Sequence, residues 1–94
     1  MTILLSPEFR KDVGKLPAQE RKRIRNALLE FRDHARGDTS KVGEGLWRLR
    51  LGDCRVYYSP REFNTYVLRL VHRSRAYRPE TISALLRRIS SLDQ

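Results

Sequence analysis

Ninety-four residues set the prior at about one domain, and a chain this short removes only about 60–65% of its unfolded surface from water, so one small core is expected. Hydrophobic residues make up 39% and charged residues 33%, which argues against disorder, while a formal net charge of +9 points to a polyanionic partner. Only Lys11, Lys15, Lys22 and Lys41 of the 20 basic residues are lysines, and the other 16 are arginines, whose planar fork suits phosphate and stacks on bases. Cys54 is alone and so excludes an internal disulfide. His34 and His72 form no zinc-ligand pattern, so neither a metal nor another cofactor is expected. Met1-Thr2-Ile3-Leu4-Leu5 runs straight into Ser6-Pro7-Glu8, so neither a signal peptide nor a spanning helix is expected and the predicted location is cytoplasmic.

Ile3, Leu4 and Leu5 read as a short strand. Ser6 follows as N-cap and Pro7 as first residue of a helix whose face carries Phe9, Val13 and Leu16. A second helix starts at Pro17, with Ile24, Ala27, Leu28, Phe31 and Ala35 recurring on one face. Gly37 to Glu44 gathers Gly37, Asp38, Thr39, Ser40 and Gly43 and reads as a loop. From Leu46 the period is two. Trp47, Leu49 and Leu51 take one face and Leu46, Arg48 and Arg50 the other, where Leu46 does not fit a polar side. Gly52-Asp53 is a two-residue hairpin turn.

Cys54 to Ser59 returns with Val56 and Tyr58 opposite Arg55, Tyr57 and Ser59. Thr65 to His72 makes another strand, Tyr66, Leu68 and Leu70 alternating with Val67, Arg69 and Val71. Pro79 opens a last helix with an Ile82, Leu85, Leu86 and Ile89 stripe, and Arg87 and Arg88 fall late in it, where the helix dipole favours cations. The expected fold is α+β, a single domain over 1–94 in the order β-α-α-β-β-β-α. A helical hairpin packs on a small, mainly antiparallel sheet and a C-terminal helix closes it.

Between Leu46 and Arg78 lie Arg48, Arg50, Arg55, Arg61, Arg69, Arg73, Arg75 and Arg78, against only Asp53 and Glu62. Like charges on neighbouring strands repel unless an anion sits among them, so the cluster favours an anion site over a solvated face. Tyr77 offers an aromatic platform for a base as well as a hydroxyl, and His72 is a candidate acid or base. Trp47 reads as core, since it alternates with leucines. Tyr57 is open between stacking on RNA and covering an edge of the sheet.

The stretch Leu46-Trp47-Arg48-Leu49-Arg50-Leu51-Gly52-Asp53-Cys54-Arg55-Val56-Tyr57-Tyr58 resembles the second and third strands of the RelE/ParE toxin superfamily. His72-Arg73-Ser74-Arg75-Ala76-Tyr77-Arg78 resembles the HRxxxYR close of its RelE-like branch. The resemblance covers essentially the whole chain. It implies the toxin of a type II toxin-antitoxin module. RelE-like members are endoribonucleases that cut messenger RNA in the ribosomal A site, whereas ParE-like members poison DNA gyrase. A passive RNA-binding or ribosome-associated domain is a third class, needing only the basic sheet.

Carried over residue by residue, the resemblance gives Arg55 and Arg73 the stabilisation of charge on the phosphorane and Arg48 and Arg50 the hold on backbone phosphates. Tyr77 stacks the base after the cut, His72 is the acid or base, and Arg75 and Arg78 add RNA contacts. Arg48 and Arg50 stand where well-known members have lysines, and an arginine is a poor general base. The partners implied are the ribosome, messenger RNA and an antitoxin whose acidic segment wraps the domain in a hetero-oligomer, with no membrane. Leu86, Ile89 or Leu92 would either pack within the domain or add to that docking surface.

Overall fold

The computed structural model describes residues 2–34 and 37–92; Met1 and Ala35, both used in the sequence reading, lie outside them. The strands form one sheet in the order β1-β5-β4-β3-β2. β1 (Thr2–Leu5) runs parallel to β5 (Asn64–His72). β2 (Asp38–Gly43), β3 (Leu46–Leu51), β4 (Cys54–Pro60) and β5 pair antiparallel in succession. The helices are α1 (Pro7–Gly14), α2 (Ala18–His34) and α3 (Pro79–Leu92). The fold is α+β as expected, but it carries one strand more: the segment read as a loop is β2. It is the edge of the sheet, largely exposed and carrying Asp38 and Lys41, so it lacks the apolar alternation by which an inner strand announces itself.

Ser6 caps α1 as its sequence suggests. Its hydroxyl accepts the Phe9 N–H at 3.0 Å and donates to the Leu68 carbonyl at 2.7 Å. β1 stops at Leu5, opposite Val67, and α1 completes the edge of β5 from there. The Asp12 carboxylate accepts the Leu70 N–H at 3.0 Å and two Arg69 N–H groups at 2.7 and 3.0 Å.

Each face of the sheet has its own core. Phe9, Ile24, Leu28 and Phe31 of the hairpin pack on Leu49, Cys54, Val56, Tyr58, Val67 and Leu70. The Phe31 and Tyr58 rings meet edge to face at 5.0 Å. On the other face Leu85 and Ile89 of α3 cover Leu46, Tyr57, Leu68 and Ala76. This second core explains Leu46, and burying each such side chain contributes about 1.5–3 kcal/mol. A bulge opposite Tyr57 and Tyr58 breaks the strict alternation expected of β5, so that Leu70 shares the face of Val67 instead of that of Leu68. Gly52, at φ +61°, makes the tight turn between Leu51 and Cys54.

On α3, Leu86 and Ile89 take the packing role, leaving Leu92 exposed. The helix also continues to Leu92, so Arg87 and Arg88 precede its last turn, and Arg88 pairs with Glu8 of α1 at 2.7 Å.

Candidate functional site

α3 lies over the Leu46 end of the sheet, where Leu86 meets Gly43 and Ile89 meets Gly45. Beyond it β3 carries Arg48 and Arg50 on the same face as Leu46, opposite Tyr57 and Arg55 of β4. Directly opposed residues share a face, so these four side chains emerge together, beside the segment that links β5 to α3.

The Arg48 guanidinium is held from two sides. Its Nε and Nη2 donate to the Ser40 hydroxyl at 3.1 and 2.6 Å, and its Nη1 donates to the Tyr77 hydroxyl. Its Cζ lies 5.4 Å from the centre of the Tyr77 ring, within cation–π range. Tyr77 remains 54% exposed, so its ring is accessible to a base. Tyr57 lies underneath, fully buried, and donates its hydroxyl to the Ala76 carbonyl, which fixes the residue next to Tyr77. Burial pushes the Tyr57 phenol up, with Tyr77 adding to the shift and Arg48 and Arg55 opposing it. Tyr57 is therefore an anchor beneath the site, and of its two sequence readings neither edge cover nor stacking on RNA describes it.

Arg55 is 6% exposed. One terminal nitrogen donates to the Gly52 and Cys54 carbonyls at 2.8 and 3.0 Å, while its buried Nε has no hydrogen-bond partner. No carboxylate among the described residues pairs with it, and its direct neighbour across the strands is another cation, Arg50, 4.0 Å from Asp38. Arg73 joins the same turn: its N–H donates to the Asp53 carbonyl at 2.8 Å and its guanidinium stands 3.6 Å from the Asp53 carboxylate. Both side chains are mostly exposed, which leaves that pair weak. A buried guanidinium with no carboxylate among the described residues, opposite Arg50 and near the turn that Arg73 joins, favours an anion there.

Not every residue read from sequence joins this group. His72 stands opposite Cys54, whose side chain enters the hairpin-side core, so its Cβ emerges on the face away from Arg55. Its Nδ1 accepts the Ser74 N–H at 3.2 Å and lies 2.9 Å from the Ser74 hydroxyl. Arg75 lines a cleft with Arg69, Thr81 and Arg88 on the α3 side, and Arg78 is exposed at the start of α3, where its carbonyl accepts the Thr81 and Ile82 N–H groups. Ser40 was missed altogether. Reading β2 as a strand, in register with β3, would have found it opposite Arg48.

Elsewhere, an apolar groove of about 940 Å³ runs between β1, α1 and α2. Ile3, Leu5, Phe9, Val13 and Leu29 are among its lining and Arg10, Arg21, Arg25 and Arg32 among its rim. Among the described residues no group of His, Cys, Asp and Glu is placed to hold a metal ion, and no helix is long and apolar enough to cross a membrane.

A family model described as the ParE toxin of the type II toxin-antitoxin system parDE matches residues 3–77. The fold is similar to that in the archaeal RelE–RelB complex of Pyrococcus horikoshii, at 27% identity and a TM-score of 0.68 over 80% of this chain and 97% of that one. It is also similar to the RelB–RelE antitoxin–toxin complex of Methanococcus jannaschii, at 24% identity and a TM-score of 0.66 over 79% and 94% of the two chains. The isolated Escherichia coli RelE toxin shares the fold at 18% identity and a TM-score of 0.62, over 94% and 97%. No curated protein matches the sequence.

Proposed function

Given that the chain belongs to the ParE toxin family of type II toxin-antitoxin systems, within the RelE/ParE superfamily, we propose that it is a RelE-like endoribonuclease. It cuts messenger RNA in the ribosomal A site, acting in the cytoplasm with residues 1–94 as one toxin domain. The observation that carries this reading is the Arg48–Tyr77 pair beside the uncompensated Arg55. An aromatic face for a base, a guanidinium fork for a phosphate and a buried positive charge are what binding and cleaving single-stranded RNA requires.

In this reading the 2′-hydroxyl of the nucleotide before the cut attacks the adjacent phosphorus. The O2′–P bond forms as the P–O5′ bond breaks, giving a 2′,3′-cyclic phosphate and a 5′-hydroxyl. Arg48 and Arg50 hold the phosphate oxygens, Arg73 meets the charge that grows on them, and Arg55 adds its field from beneath. Tyr77 stacks the following base. No guanidinium accepts the 2′ proton, and His72 is on the other face, so the 2′ proton leaves to solvent, the departing O5′ takes a proton from solvent to become the 5′-hydroxyl, and the ribosome supplies the alignment. DNA, lacking the 2′-hydroxyl, is not cut.

The partner is an antitoxin, as RelB is for RelE in the complexes whose fold this chain shares. Its acidic segment fits the apolar groove and its arginine rim.

A second reading, inhibition of DNA gyrase, is favoured by the ParE family match and by a site that contains arginines where a base is needed. Parallel assays of translation and of gyrase supercoiling separate the two: the nuclease arrests the first and leaves the second untouched.

A further inference from the structure

We propose that Ser40 is a positioning residue of the RNA-cleaving site, aiming Arg48 at the phosphate; the inference rests on the nuclease reading for its functional consequence. Ser40 stands directly opposite Arg48 in the β2–β3 pairing. Its Oγ accepts two N–H groups from one edge of the guanidinium, Nε at 3.1 Å and Nη2 at 2.6 Å. A hydroxyl oxygen has two lone pairs, so Arg48 uses its whole accepting capacity.

The count on the guanidinium is equally closed. Of its five N–H groups two go to Ser40 and one of the Nη1 pair goes to Tyr77, leaving one N–H on each terminal nitrogen. Those two remain to meet phosphate oxygens. Without Ser40 the arginine keeps its charge and its contact with Tyr77 but rotates about its last torsions, so they lose their aim. Arg48 pairs with no carboxylate among the described residues, and hydroxyl partners orient it without neutralising the charge the phosphate needs.

The test compares full-length wild type, Ser40→Ala, Ser40→Thr, Arg48→Ala and the Ser40→Ala/Arg48→Ala double variant. Each is assayed for cleavage of a defined messenger on ribosomes and by ¹⁵N NMR of the Arg48 Nε–H, assigned by its disappearance in Arg48→Ala. Ser40→Ala is expected to lower kcat about tenfold with KM nearly unchanged, the size of a lost hydrogen bond to a charged group. Ser40→Thr keeps the hydroxyl and the strand and stays close to wild type. In the Arg48→Ala background Ser40→Ala has no further effect. Exchange of the Arg48 Nε–H is slow in wild type and Ser40→Thr and fast in Ser40→Ala.

Unchanged kcat in Ser40→Ala, failure of threonine to rescue, or an equal loss in the Arg48→Ala background overturns the proposal, as does unaltered Nε–H exchange. If the wild type cuts no messenger, the nuclease reading fails. The proposal that Ser40 aims Arg48 for cleavage falls with it, and the NMR exchange then shows separately whether the clamp exists.

Discussion

Arg48 and Tyr77, 29 residues apart in sequence, meet with the guanidinium over the ring and an N–H donated to the phenol oxygen. A strand residue and a loop residue thereby become one surface, apolar for a base and cationic for a phosphate. Because the two act as a unit, their removal should not be additive. Arg48→Ala is expected to lower ribosome-dependent cleavage about 100- to 1000-fold and Tyr77→Ala about 10- to 100-fold. The double variant should be little worse than Arg48→Ala, as read by single-turnover cleavage.

Arg55 separates function from stability. Its buried charge has no carboxylate partner among the described residues, so replacing it with an apolar side chain of similar length relieves a desolvation cost while giving up the bonds to Gly52 and Cys54. Arg55→Met should therefore leave stability in urea within about 1 kcal/mol of wild type, or raise it, while cleavage falls about 100-fold. A loss of about 3 kcal/mol or more would make Arg55 a structural residue only.

Tyr57→Phe keeps the core and removes the bond to Ala76. It should destabilise by about 1–3 kcal/mol, because the Ala76 carbonyl is left without its partner, and it should weaken Tyr77-dependent stacking as well. The phenol is pushed above its ordinary value of 10 by burial. Its contribution is thus complete below pH 10 and is lost as pH rises through the raised value. Urea midpoints measured at alkaline pH should fall more steeply for wild type than for Tyr57→Phe.

Glu8 ties α1 to α3 through Arg88, whose hydrogen bond holds the carboxyl down from 4.5 to about 2. A depressed carboxylate stabilises the fold above its unfolded value, and this contribution disappears as pH falls from 4.5 through about 2. Carboxyl ¹³C NMR should place the Glu8 midpoint there, and Arg88→Met should return it towards the ordinary value.

The sequence made most of the fold legible because its signals are local. Ser6-Pro7 sets a helix start, the leucine alternation after Leu46 sets a strand, and Gly52-Asp53 sets a turn. β2 was hidden because an exposed edge strand needs no apolar period, and its Gly, Asp, Thr and Ser content mimics a loop. The bulge in β5 was hidden because Leu68 and Leu70 are both apolar and only pairing shows which face each takes.

The site was legible as a set of residue types but not as a geometry. Arg48, Arg50 and Arg55 share one face of the sheet with Tyr77 against Arg48, whereas His72 is turned away by register and Arg75 lines the cleft on the α3 side. Ser40 went unseen with its strand.

Primer extension on a defined messenger, in a reconstituted translation reaction with and without ribosomes, decides whether the protein is a nuclease when wild type is compared with Arg73→Ala. The nuclease reading predicts discrete cuts within codons that require ribosomes and disappear in the variant. An uncut messenger, with gyrase supercoiling inhibited by the same preparation, would contradict it.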